Sequence, residues 1–268
     1  MFKNRLKELL LAAAILPVML AQPAFAHVVW FEQGNGDYDL VFGHPEEGPE
    51  PYDVAKFQSA QGYDINKQLV PLEVKIQDGV SVIPQGDIAA LTAFYDNGFW
   101  LTNPADSTST NISKQEAEAL NYVNVSNFLK YTKALYNWSQ PLSQSFGLPL
   151  EIMALENPFE VMEGESLPIQ VSFQGNVIKD ALVEYLGQVV DVNQEGIAYI
   201  PVGKGGLQVI EASYTNPTAT NPGLSYATTF SADSKNASVP EPSALLGLSV
   251  LGLMAFARKQ TKGVKLTK

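Results

Sequence analysis

Two residues in this sequence are placed to do chemistry together. They are His27 and His44, the only histidines in 268 residues. His27 follows Ala24-Phe25-Ala26, whose alanines fit the small-residue positions of a secretory cleavage site. Cleavage after Ala26 makes His27 the first residue of the exported chain. Its free α-amine and its ring Nδ1 then close a chelate on one divalent metal. One more imidazole completes a T-shaped three-nitrogen set, the histidine brace, and His44 is the only other histidine able to supply it. Such nitrogen-rich donors favour Cu(II) or Ni(II), with Zn(II) or Co(II) also accommodated. Carboxylates follow His44 closely: Glu46, Glu47, Glu50 and Asp53. One of them can add a ligand or orient an imidazole from behind, and Tyr52 is a weak axial or shell group. Glu46, Tyr52 and Asp53 are the shell candidates, and spacing does not rank them. The plain alternative is a histidine at the cleavage site by chance and a His44 that caps a turn.

The elements that must position these residues read as strands. Val28 to Phe31 is a short apolar run, and Tyr38 to Phe42 alternates around Leu40. Gly34-Asn35-Gly36 between them favours a hairpin. If the two strands are antiparallel, His27 and His44 share one sheet end. Further on, Val70 to Ile76 alternates, Gln77-Asp78-Gly79 reads as a turn, and Val80 to Ile83 as a strand. Ala89 to Tyr95 is another strand, stopped by a turn at Asp96-Asn97-Gly98. Ser113-Lys114-Gln115-Glu116 is a capping box that starts a short helix through Leu120. Residues 128–138 fit helical spacing and strand alternation about equally, with strand preferred. Pro141 and Pro149 bracket a linker. From Leu150 to Phe230, short runs at 150–155, 167–173, 181–186, 197–202, 207–214 and 225–230 alternate with glycine-marked turns. That spacing predicts a β-sandwich of about 80 residues. The reading is a mainly β chain of two β-sandwich-like domains with a short helical insert. A signal helix and a C-terminal hydrophobic helix flank them. The boundaries are a signal peptide at 1–26, a β-rich metal-binding domain at 27–145, a sandwich at 146–232, and a tether and sorting segment at 233–268.

Composition excludes several chemistries. There is no cysteine, so disulfides, thiolate metal sites and cysteine nucleophiles are out. Apolar residues at 46% and charged residues at 17% suit a folded core. Residues 27–238 hold nine Lys and Arg against 26 Asp and Glu, a net −17. That charge argues against nucleic acid, which needs a basic face, and suits a soluble surface protein that attracts cations. No nucleophile elbow, Walker loop or zincin motif is present. Gly203-Lys204-Gly205-Gly206 reads as a hairpin turn, and Glu163 with Glu165 as a solvated loop. The cluster Phe94, Tyr95, Phe99 and Trp100 reads as core, with sugar binding by an exposed subset as the alternative.

The two ends are address labels. Residues 1–26 carry Lys3, Arg5 and Lys7, an apolar run from Leu9 to Leu20, and AQPAFA, the plan of a secretory signal. At the other end stand Pro240-Glu241-Pro242, an apolar run from Ala244 to Ala257, and Arg258-Lys259. The run is marginal for a bilayer span, and the basic end would stay cytoplasmic. This order resembles the PEP-CTERM sorting signal. It implies processing by an exosortase-type enzyme after signal peptidase, with transient membrane anchoring and delivery to the cell surface or extracellular matrix. HVVWFE at the mature start, FGHPEE, YDNGFWLTNP, KYTKALYNW and the long stretch from LEIMALENPFEV to GLQVIEASY resemble the DUF4198 family over most of 27–230. That family is grouped with periplasmic components of nickel and cobalt uptake. The resemblance implies an Ig- or prealbumin-like sandwich at the C-terminal end. It also implies a nickel or cobalt ligand, with His27 and His44 at the family's histidine positions, and a transporter permease as partner.

Three functions follow as expectations. The first is a non-enzymatic extracytoplasmic metal binder, accessory to metal uptake or buffering: nickel or cobalt by resemblance, copper by brace chemistry. The second is a structural or adhesive surface module without ligand chemistry. The third is a copper oxidase acting on polysaccharide, which would also begin with a histidine brace.

Overall fold

Gly34-Asn35-Gly36 turns the chain as its composition predicts. β1 (Val28–Gln33) and β2 (Tyr38–His44) run antiparallel, with Val28 opposite Gly43 and Gln33 opposite Tyr38. In the computed structural model the described residues are 27–232. The signal segment 1–26 and the sorting segment beyond 232 therefore lie outside them.

The chain continues as β3 (Gly48–Pro49), β4 (Phe57–Tyr63), β5 (Leu69–Val70), β6 (Leu72–Ile76) and β7 (Val80–Pro84). β8 (Ala90–Thr102), β9 (Ser109–Ile112), the helix α1 (Lys114–Ala119) and β10 (Val125–Leu135) follow. The second half supplies β11 (Leu150–Ala154), β12 (Ser166–Phe173), β13 (Asn176–Val177), β14 (Leu182–Tyr185) and β15 (Gln188–Val190). β16 (Ile197–Pro201), β17 (Ile210–Thr220) and β18 (Gly223–Ala232) complete it. The protein is mainly β. Its one α-helix among the described residues starts at the capping box: the Ser113 hydroxyl accepts from the Glu116 N–H, and the Glu116 carboxylate accepts from the Ser113 N–H.

Three sheets form. One is ordered β1-β2-β7-β6 with β3 on β2. The second has nine strands, β15-β14-β17-β18-β10-β8-β4-β5 with β9 on β8. The third is β11-β12-β13 with β16 on β12. The nine-stranded sheet lies between the other two. Leu91, Ala93, Tyr95 and Ala134 on one face pack with Val29, Phe31, Leu40 and Val82 of the first sheet. Tyr131, Leu135, Val183, Ile210 and Phe230 on the other pack with Leu150, Ile152, Leu167 and Ile169 of the third. Strand β10 is therefore covered on both faces, and Lys130 through Leu135 are all buried. A strand buried on both sides loses the polar–apolar alternation that marks a half-exposed strand. For that reason 128–138 read ambiguously, and it is strand from Val125 to Leu135.

β10 pairs in parallel with β18, from Ser126 opposite Gly223 to Leu135 opposite Ala232. Segments on both sides of 145/146 thus contribute strands to one sheet. Parallel neighbours need a long crossover, and here the whole segment between them supplies it. Its 141–149 stretch is not a free linker: it holds a 3-10 turn at Pro141–Ser143 with Leu142 fully buried.

Two expected turns are something else. Asp96-Asn97-Gly98 lies inside β8 as a bulge, where the register against β10 shifts between Phe128 and Leu129. Gly98 takes φ +79°, and Asn97 is tied in by Lys56, whose Nζ donates to its carbonyl at 3.0 Å. The extra residue bends the strand instead of ending it. Gly203 to Gly206 makes a tight turn, but it joins β16 of the third sheet to β17 of the middle one, so it is a crossing between layers and not a hairpin.

Candidate metal centre

His27 sits one residue before the β1 ladder begins at Val28 opposite Gly43, so His27 faces the end of β2, where His44 is. The ring centroids of His27 and His44 are 4.7 Å apart, tilted by 51°. Gly43 makes the approach feasible. Its φ is +143°, and a Cβ there would meet the Gly48 carbonyl oxygen at 2.7 Å, so only glycine lets β3 fold back this closely. The Glu47 N–H donates to the His44 carbonyl at 3.0 Å, closing the turn. β3 then pairs with Gly43 and His44, and the Glu50 N–H donates to the Phe42 carbonyl at 2.7 Å. This return brings the Glu50 carboxylate to His27, with both oxygens 3.2 Å from Nε2. His27, His44 and Glu50 each offer a ligand atom, all within 4.8 Å of one another.

The shell candidates divide. Glu46 is at the site: its Oε1 lies 4.0 Å from His44 Nδ1. It also lies against the turn after β14, where a Cβ on Gly187 would meet Glu46 Oε1 at 3.3 Å. Tyr52 is not a shell group. Its hydroxyl donates to the Leu40 carbonyl at 2.6 Å and accepts from the Val80 N–H at 2.9 Å, clamping β2 to β7 beneath the site. Asp53 is not one either. Its carboxylate caps the 3-10 turn Val54–Lys56 by accepting from the Ala55 N–H at 3.0 Å. Local side-chain to backbone bonds of this kind are what Asp does best at a turn start. Replacing Tyr52 by Phe leaves a buried donor and acceptor without a partner. The expected loss is about 1–3 kcal/mol of stability, read from urea unfolding.

Under the histidines lies a group that sequence pattern did not flag. Phe42 stacks on the His27 ring at 5.1 Å and 11°. The buried Lys130 of β10 approaches the Phe42 ring at 5.7 Å, and its ammonium donates to the His27 carbonyl oxygen. Burial pushes Lys130 down to about 7; Glu211 opposes the shift and Lys56 adds to it. Glu184 and Glu211 are cross-strand neighbours on β14 and β17. Burial raises the Glu211 carboxyl to about 8, helped by Glu46 and Glu184 and opposed by Lys130. Burial and Glu46 raise Glu184 as well, while His44 opposes them. The only sequence signal for these was charge within runs that alternate toward a core.

The Glu211 shift has a sign that can be measured. Its folded pKa lies above its unfolded one, so the folded state holds a proton that the unfolded state releases. Stability is then intact below the ordinary carboxylate range and falls as pH rises toward 8. Glu211→Gln is expected to change little at pH 5 and to gain about 1–3 kcal/mol at pH 8.5, compared by urea unfolding at the two values.

The family described as a domain of unknown function, DUF4198, matches residues 24–216, most of the chain and the whole of this site. The chain belongs to the DUF4198 family. The PEP-CTERM protein-sorting motif matches residues 238–260. The protein is therefore extracytoplasmic and surface-associated, held transiently by its C-terminal segment until an exosortase processes it. No curated protein matches the chain.

Proposed function

We propose that the exported protein binds a divalent transition metal through His27 and His44 and serves metal uptake or buffering without catalysing a reaction. The observation that supports this reading best is the meeting of the chain's two histidines with Glu50, ligand atoms within 4.8 Å of one another. The donor chemistry suits the ion: two imidazoles and one carboxylate fit Cu(II), Ni(II), Co(II) or Zn(II). Signal cleavage before His27 adds its amine. The Glu50 carboxylate is a further ligand or the partner that holds the His27 ring, and Glu46 plays the second part for His44. Nickel or cobalt accords with the family's association with uptake systems, and a permease is then the receiver of the ion. The surrounding acidic charge raises local cation concentration.

Two forms of the exported protein test this, one starting at His27 and one with an extra alanine before it. Each is titrated calorimetrically with Ni(II), Co(II), Cu(II) and Zn(II). Tight binding confined to the first form establishes the amine as a ligand. Negligible binding in both sinks the proposal and leaves a structural or adhesive surface module.

A further inference from the structure

We infer that Lys130 is the positioning residue of this site, holding His27 in the geometry its donors need; the inference rests on the metal-binding reading above. An N-terminal residue is ordinarily frayed. The β1 ladder starts only at Val28, so strand pairing does not orient His27. The Glu50 carboxylate meets the far edge of its ring, but its backbone is held by the Lys130 ammonium, which reaches up from β10 in the middle sheet and donates to the His27 carbonyl oxygen. The same ammonium approaches Phe42, and Phe42 is the ring stacked on the His27 imidazole. One lysine therefore restrains both the backbone and the ring of the residue that would supply two metal donors. Fixing them before binding removes an ordering cost that the metal would otherwise have to offset.

The neighbour on the same strand shows what a structural lysine looks like. Lys133 is as buried as Lys130, but it faces the third sheet and meets the Glu151 carboxylate at 2.7 Å. Lys130 makes no ion pair among the described residues, and its hydrogen bond goes to a neutral carbonyl. Burying a cation for one carbonyl and one ring face, with no carboxylate in contact, is costly. Stability alone does not explain such a lysine, whereas placement of His27 does.

The test uses the exported protein, Lys130→Met, and Thr229→Val as a structural control. The Thr229 hydroxyl donates to the Val29 carbonyl at 2.7 Å, so this control loosens the same strand without touching His27. Cu(II) affinity is measured by competition titration, the bound ion by electron paramagnetic resonance, and folding by near-UV circular dichroism and urea unfolding. Lys130→Met is expected to bind Cu(II) about tenfold more weakly or worse, with an altered resonance spectrum and native circular dichroism. Thr229→Val is expected to unfold at lower urea with the wild-type spectrum. Wild-type affinity and spectrum in Lys130→Met overturn the positioning role and leave the metal site standing. A wild-type protein that binds no Cu(II) overturns both. If Lys130→Met does not fold, the wild-type protein decides: Zn(II) should shift the side-chain carbon resonances of Lys130 and not those of Lys133. Equal or absent shifts overturn the inference.

Discussion

His27→Ala and His44→Ala are each expected to weaken Ni(II) and Cu(II) binding to the exported protein by at least about 100-fold. That exceeds the roughly 10- to 100-fold typical of losing an outer partner of a ligand. Each substitution removes a direct donor, and no third histidine or cysteine exists to replace it. Glu50→Gln should fall between wild type and the histidine variants: the carboxylate 3.2 Å from His27 Nε2 loses its charge but keeps its shape. Protons compete for the same nitrogens, so affinity must fall as pH falls. Calorimetric titration of all four proteins at two pH values reads every term. Wild-type affinity in both histidine variants would place any bound metal elsewhere on this acidic chain. His27 and His44 lie outside the main cores, so their variants should unfold at nearly the wild-type urea concentration.

Glu151→Ala is expected to cost about 3–5 kcal/mol, the range for stripping one partner from a buried ion pair. Glu151 is completely buried, and Lys133 opposite it nearly so. The carboxylate takes the Lys133 ammonium at 2.7 Å, the Ser145 hydroxyl at 2.7 Å and the Phe146 N–H at 2.9 Å. Burial alone would raise its pKa, but Lys133 and these donors outweigh burial and hold it below the usual carboxylate value. A depressed carboxyl contributes stability that is present above its unfolded pKa and is lost as pH falls through the folded one. The pair thus opposes Glu211, whose contribution is lost in the other direction. Thermal unfolding of Glu151→Ala should shift down by roughly 6–20 °C for a domain of this size. The double variant Lys133→Met, Glu151→Leu should recover much of the loss, because it strands no charge. A midpoint unchanged in the single variant would show that the pair contributes nothing net.

Much of the architecture was legible because half-exposed strands advertise themselves. Val80 and Val82 are buried while Ser81 and Ile83 are half-buried, and Ile197 to Pro201 alternates buried Ala198 and Ile200 with exposed Tyr199 and Pro201, so Val80 to Ile83 and Ile197 to Val202 both read as strands. The capping box at Ser113 is a contact within four residues, so its letters suffice. Strand β4 is not legible in this way: FQSAQGY carries no β-branched residue, and its place beside β8 comes from long-range pairing. The bulge at Asn97 is hidden for a related reason. Asp-Asn-Gly encodes a local bend, and whether that bend closes a hairpin or kinks a long strand depends on the partner alongside, here β10.

The sequence by itself determined the surface address, the mainly β class and the hairpin that sets His27 beside His44. Each rests on neighbours in the chain: a run of residue types, a two-residue period, or a glycine-rich turn with equal arms. Only the tertiary structure decided which groups surround the two histidines. Glu50 joins them, although Asp53 is nearly as close in sequence, because Gly43 lets β3 fold back and Asp53 is taken by its own turn. Lys130 lies 103 residues beyond His27 and reaches it because the middle sheet passes under β1. Glu211 arrives through β17, two strands from β10. Contacts of that range depend on how the sheets stack and in what register, which no local pattern of residues encodes.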